Sequence, residues 1–263
     1  VRTIAVTNYK GGSAKTTTTV NLAAALGELG YRVLVIDIDP QGSSSAWLGV
    51  EGAVDGIAEA IDGRSPLAEL LYETTAPGVV LVPASPSIVV SDPEQETQVA
   101  LGFMRAMDAL PALWDVVLVD CPPSLGYLAI APLTVCQEAL VPVEARILAV
   151  SGLTSLIETM KRVQRRLNPR LRLAGVVACR VNRTSHARAI VERLRDEYPE
   201  SFLTTTIRES IRLAEAPSFQ LPITLFAPSS SGAADYRALA RELAAAWPAP
   251  TDPPSVAVTI VSA

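Results

Sequence analysis

The chain has 263 residues, 49% of them apolar and 19% charged, with a formal net charge of −5. That composition supplies one globular domain with an ample core, and no apolar run approaches the ~18 residues of a membrane span. Cys121, Cys136 and Cys179 are odd in number and lack metal-ligand spacing, so they read as reduced, buried or half-buried thiols of a cytosolic protein.

The first element is a β-branched run, Arg2–Thr7, which begins so early that no room is left for a signal peptide. It leads into KGGSAKTTTTVNLAAAL, where Lys10 and Lys15 account for two of the three lysines in the chain. Apolar residues at helical spacing follow (Val20, Leu22, Ala23, Ala24, Leu26, Leu29), giving a helix over Thr16–Leu29. Strand, glycine loop, Lys-Thr and helix is the layout of a P-loop. Gly11 and Gly12 let backbone N–H groups close on phosphate oxygens, and the helix N-terminus adds free donors and its dipole. Lys15 is placed to reach the β- and γ-phosphates, Thr16 to ligate Mg²⁺, and Ser13, Ala14 and Thr17 complete the nucleotide-binding loop. Tyr9 and Ala14 stand where the usual G-x-x-x-x-G-K-[ST] pattern has its two glycines. An alanine there costs about 1 kcal/mol or more if the loop needs a left-handed backbone.

A second strand, Arg32–Asp37, runs into DIDPQG. Asp37 and Asp39 lie two apart at its end and so point the same way, toward the phosphates. Stretches at Ile57–Leu71 and Pro86–Thr97 read as helical and loop insertions around a strand at Val79–Val82. A helix over Glu94–Leu110 precedes the strand Val116–Asp120, four apolar residues and an aspartate in the Walker B pattern, in which Asp120 holds Mg²⁺ through water. Strands follow at Ala139–Val143, Leu173–Cys179 and Phe202–Ile207, with helices at Ser151–Leu167, His186–Tyr198 and Gly232–Trp247. Strands without alternation, separated by helices, imply an α/β fold: one P-loop domain over residues 1–247, with a mostly parallel twisted sheet of about seven or eight strands covered by helices on both faces. Ligands in such sheets bind beyond the carboxyl ends of the strands, where these motifs fall. Residues 248–263, opening with PAPTDPP, read as a loosely held tail.

Charge is unevenly placed. Residues 1–150 carry 7 basic and 17 acidic side chains, whereas 151–263 carry 15 and 10. Between Lys161 and Arg195 there are 11 Lys/Arg and one acid, Glu192. This is either a solvated arginine-rich surface or a region that a polyanion would feel.

KGGxxKTT is a deviant Walker A box, and with DxDPQG and DCPPSLG in this order the chain resembles the ParA/MinD family of ATPases. The segment IRESIRLAEAPSFQLPI resembles chromosomal ParA (Soj-like) proteins, and the likeness covers residues 2–247. The resemblance implies ATP and Mg²⁺ as cofactors and an ATP-dependent homodimer, in which Lys10 reaches the nucleotide of the other subunit. It gives Asp39 the orienting of the attacking water, makes Asp37 a support to Mg²⁺ and Thr16, and lets Pro122-Pro123 stiffen a loop that senses the γ-phosphate. It places Asn182 at an adenine edge, where the alternative is a turn asparagine, and Ile207-Arg208-Glu209 on the other side of the base. Arg183 and Arg212 resemble two DNA-binding arginines of chromosomal ParA proteins; the alternative is pairing with Glu209 or Glu215. The function implied is a cytoplasmic, nucleoid-associated partition switch. Its ATP dimer binds DNA without sequence preference until a ParB-like partner stimulates hydrolysis. An orphan ParA that positions another cargo on the nucleoid would use the same chemistry. A membrane-associated MinD-like role is disfavoured by the alanine-rich last helix, RALARELAAAW, and by the absence of Lys or Arg after it. A metal-cluster carrier would need paired cysteines, which are absent. With no winged-helix domain ahead of the P-loop, the short ParA form is expected.

Overall fold

A computed structural model describes residues 1–53, 55–88, 93–123, 126–146, 149–250 and 260–261. Ser124 and Leu125 of DCPPSLG, residues 89–92 of the Pro86–Thr97 stretch and most of the tail lie outside the described residues.

Among them, seven strands form one sheet: β1 Arg2–Val6, β2 Val33–Asp37, β3 Tyr72–Glu73, β4 Val79–Val82, β5 Val116–Asp120, β6 Glu138–Glu144 and β7 Arg172–Cys179. Their order is β3-β4-β2-β5-β1-β6-β7, and only β3 runs antiparallel to its neighbour. Every residue of β2 and β5 is buried, which is why these strands read as continuous apolar runs. The first helices in chain order are α1 Lys15–Glu28, α2 Ser43–Trp47, α3 Ile57–Ile61, α4 Pro93–Asp108 and α5 Tyr127–Val135. After them come α6 Ala149–Arg166, α7 Ser185–Glu197, α8 Ile211–Glu215, α9 Ile223–Phe226 and α10 Ser231–Ala244. One sheet face packs against α1 and α10 through Val20, Leu22, Leu26, Tyr236 and Leu239. The other packs against α3 to α7 through Ile57, Phe103, Leu133, Leu156 and Leu194.

Phe202–Ile207 is not a strand. It meets β7 through one isolated bridge, Phe202 to Val176, with Leu203 N donating to Val176 O (2.9 Å) and Ile207 N to Ala178 O (2.8 Å). Between those points the amides of Thr204 and Thr205 donate to the Glu242 carboxylate on α10, at 2.6 and 2.8 Å. Donors engaged by a side chain cannot extend a ladder. Helix α5 falls in a stretch apolar on all sides, so it shows no 3.6-residue period, and Pro132 sits within it.

Two residues of the first loop hold left-handed backbones: Gly12 at φ +73° and Ala14 at φ +68°, ψ +27°. Ala14 is the N-cap of α1, and its carbonyl accepts the Thr18 amide at 2.9 Å. Helical bonding therefore fixes the conformation that alanine disfavours. The left-handed penalty is about 1–2 kcal/mol, and the extra unfolded-state freedom of glycine returns about 0.4–1 kcal/mol. Ala14→Gly should stabilise the fold by about 1 kcal/mol on that reckoning. A urea midpoint that stays put or falls, at unchanged slope, would show that the loop carries no such strain.

Candidate nucleotide and metal site

The loop after β1 is built from short bonds. Asn8 Nδ2 donates to Pro142 O on β6 (2.8 Å), and its Oδ1 accepts the Lys10 amide (3.1 Å), which starts the turn. The chain then passes Gly11, Gly12 and Ser13 to Ala14 and enters α1 at Lys15. The Lys15 ammonium is buried and donates to Lys10 O at 3.3 Å. Burial pushes its pKa down, against the nearby carboxylates of Asp120 and Asp39. Ser13 Oγ is buried with no hydrogen-bond partner among the described residues. A buried cation facing a carbonyl, and a buried hydroxyl without a partner, both suit phosphate oxygens.

The carboxylates sit at the ends of the next two strands, β5 and β2. Asp37 and Asp120 end adjacent strands in direct register, and neither has exposed surface. Asp120 accepts Thr16 Oγ1 (2.8 Å), Ser44 Oγ (2.6 Å) and Thr19 Oγ1 (3.2 Å). Asp37 accepts the amide and hydroxyl of Ser45 at 2.9 and 2.8 Å, and the Asp39 amide at 3.2 Å. Thr16 thus bonds Asp120, while Asp37 bonds Ser45 of α2. Burial raises both carboxyls, and Asp120 raises Asp37 further. Hard oxygen donors held beside a phosphate-binding loop suit Mg²⁺, which takes one or two protein oxygens and fills its other positions with phosphate and water. A dedicated metal cage of three or more His, Cys, Asp or Glu is absent among the described residues.

A cleft of about 680 Å³ opens over the loop, a size that suits a nucleotide. Gly12, Ser13, Ala14, Lys15, Thr16 and Thr17 line one side. Asp39, only 8% exposed, faces the cleft and accepts the Gln41 amide (3.1 Å). Pro123 lines it too, with its Cβ 3.9 Å from where a Cβ on Gly11 would stand. Ile207, Arg208 and Glu209 form the far wall. The Arg208 guanidinium, however, turns to Asp235 on α10 (2.6 Å), and that carboxylate also accepts the Arg208 amide (2.9 Å).

Lys10 and Asn182 lie elsewhere. Both line a separate cleft of about 410 Å³ with Glu144, Arg146 and Arg180. Asn182 Oδ1 accepts the amide and hydroxyl of Thr184 (3.2 and 2.6 Å), so it acts as the turn asparagine ahead of α7. Arg183 is exposed. Arg212 is exposed and ion-paired with Glu215 at 2.9 Å, a contact worth under about 1 kcal/mol and easily exchanged. Ser44, Ser45 and Asp235 are the residues that motif reading passed over. The triple serine directly after Gly42 was the available signal for the first two.

Residues 1–173 match the family model described as an AAA domain. The chromosome-partitioning ATPase Soj of Thermus thermophilus is 41% identical over 93% of this chain and 96% of its own. The sporulation initiation inhibitor protein Soj of Bacillus subtilis is 36% identical over 92% and 98%. Among solved structures, cobyrinic acid a,c-diamide synthase from Mycobacterium smegmatis, bound to an ATP analogue and magnesium, superposes with a TM-score of 0.77. It has 32% identity and covers 94% of this chain and 96% of its own. Likeness over nearly the whole length, with the two-lysine loop and both aspartate motifs in order, places this chain in the ParA/MinD family of P-loop ATPases.

Proposed function

We propose that this chain is an ATP-driven DNA-partition switch, a slow ATP hydrolase whose ATP-bound dimer holds DNA until a ParB-like partner stimulates hydrolysis on the nucleoid. The observation that carries the reading is the opposed placement of the two loop lysines. Lys15 lines the nucleotide cleft, and Lys10 lines the neighbouring one. A lysine facing away from its own cleft is available to the nucleotide of a second subunit. ATP then favours the dimer because it contacts both subunits, and the equilibrium shifts by that differential affinity. The kinship with Soj proteins supports partition as the process served.

Within the site, Lys15 and the loop amides hold the phosphates, while Thr16 and Asp120 would hold Mg²⁺, with Asp37 behind them. Bound there, Mg²⁺ neutralises charge on the phosphate oxygens. Asp39 orients a water whose oxygen bonds to the γ-phosphorus as the bond to the ADP oxygen breaks. The residues fit neither of two other readings. In α10 the apolar face, Tyr236, Leu239 and Leu243, is buried against the core and is not available to a lipid surface. Cys121, Cys136 and Cys179 are buried, and burial pushes each thiol up, so none offers a thiolate nucleophile.

Lys10→Ala should keep nucleotide binding and lose the ATP-dependent dimer, while Lys15→Ala should lose both. Titration with a fluorescent ATP analogue and light scattering read the two separately, and a Lys10→Ala protein that dimerises fully with ATP would refute the cross-subunit role. Asp39→Ala should trap an ATP-bound dimer that turns over poorly, whereas Asp120→Ala should weaken Mg²⁺-dependent binding itself. Equal loss of ATP binding in both would erase the distinction between them. Charge reversal at Arg183 and Arg212 should weaken DNA binding and leave dimerisation intact. Each lost phosphate contact should flatten the log–log salt dependence by about 0.9. Unchanged DNA affinity in both variants would move the DNA surface elsewhere, first to the basic cluster Lys161–Arg172.

A further inference from the structure

Strand β3 is two residues long, antiparallel to β4, and ends the strand order. Its outward backbone groups are not left open. The Val261 amide donates to Leu71 O at 2.8 Å, the Glu73 amide donates to Val261 O at 2.9 Å, and Tyr72 and Val261 form a parallel bridge. Ile260, beside them, packs on the hydrophobic cluster that lies under α3 to α7. The tail expected to be loose is therefore held at its far end by an edge of the sheet. It is held at its near end as well: Tyr31 Oη donates to Pro248 O (3.1 Å), and the Trp247 ring stands edge-on to Tyr31. Eleven residues, 249–259, lie between Pro248 and Ile260, enough for about 40 Å of extended chain.

We propose that the outer edge of β3, at Leu71–Glu73, is a strand-acceptor site for an extended, uncharged, β-branched segment, and that its resident is this chain's own C-terminal segment. Three features support this. The two backbone bonds and the bridge are the contacts by which a peptide adds to a sheet edge. The sequence SVAVTIVSA, residues 255–263, has no charge and no proline, and Val256, Val258 and Ile260 recur at period two. Such a segment is a hazard when unpaired and a good edge cover when paired, and an uncovered edge invites pairing with other chains. The site is distinct from the nucleotide cleft, since none of Leu71, Tyr72, Glu73 or Val261 lines it.

The test uses the full chain. Val261→Pro removes the amide that donates to Leu71 O and should release the tail without touching the ATP site. The Glu73 amide should then exchange with deuterium about tenfold faster, as loss of two ordinary backbone bonds implies, with ATPase activity unchanged. A fluorescein-labelled SVAVTIVSA peptide should bind the Val261→Pro protein saturably and the parent protein weakly or not at all. The same peptide carrying proline at its seventh position should bind neither. Nucleotide-independent dimers of the variant, dissolved by excess peptide, would also support the proposal, the vacated edge being filled by a second copy. Equal Glu73 exchange in parent and variant would overturn it, as would failure of the variant to bind the peptide, or equal binding by both proteins.

Discussion

Asp120 is the point to which the rest of the site is fastened. Its buried carboxylate accepts hydroxyls from two residues of α1 and one of α2, so one side chain fixes both helices against the end of β5. A buried carboxylate is costly without such partners. The same bonds that make its burial tolerable set where Thr16 stands, and Thr16 sets where a cation would sit. Asp37, alongside in register, does the same for α2 through Ser45, whose hydroxyl also accepts the Ala84 amide at 3.0 Å after β4. The site and the sheet packing thus share their atoms here. A substitution at either aspartate alters how the layers meet.

The phosphate end of the cleft was legible because it is local. Lys10 to Thr17 are consecutive, and each aspartate motif ends an apolar run, so pattern and spacing sufficed to bring Lys15, Thr16, Asp39 and Asp120 to one end of the sheet. What escaped depends on which strands become neighbours. That Thr16 bonds Asp120 and leaves Asp37 to Ser45 follows from where α1 and α2 rest across β2 and β5, which no window of sequence contains. The base end is harder for the same reason. Arg208 is 27 residues from the Asp235 that turns its guanidinium away, and Asn182 is spent on its own turn. In the fold, Phe202–Ile207 carries strand-like residues, yet Glu242 takes two of its amides. Helix α5 was hidden by being apolar on every side.

The two lysines of one short loop face different ways. Lys15 and Lys10 are five residues apart and contact each other, ammonium to carbonyl, yet they line different clefts. Arg180 lines both clefts and holds a left-handed backbone at φ +53°. Its guanidinium lies 3.4 Å from Glu144, at the end of β6. Glu209 lines both clefts as well, so Arg180 and Glu209, one just after β7 and one from the loop before α8, stand between them.

The cleft is assembled from segments far apart in the sequence. Its phosphate side comes from residues 12–17, and its far wall from residues 207–217. Tyr236 on α10 lies beneath, its hydroxyl 3.4 Å from Thr18 Oγ1. Arg2 over Trp247 and the pair of Glu28 with Arg237 join the same two regions. Synthesis makes the phosphate loop before strands β2 to β7 and its far wall after them. A nascent chain would carry the complete Walker motif without a closed pocket around it, and ATP would act as a ligand of the finished protein, not as a template for its early folding.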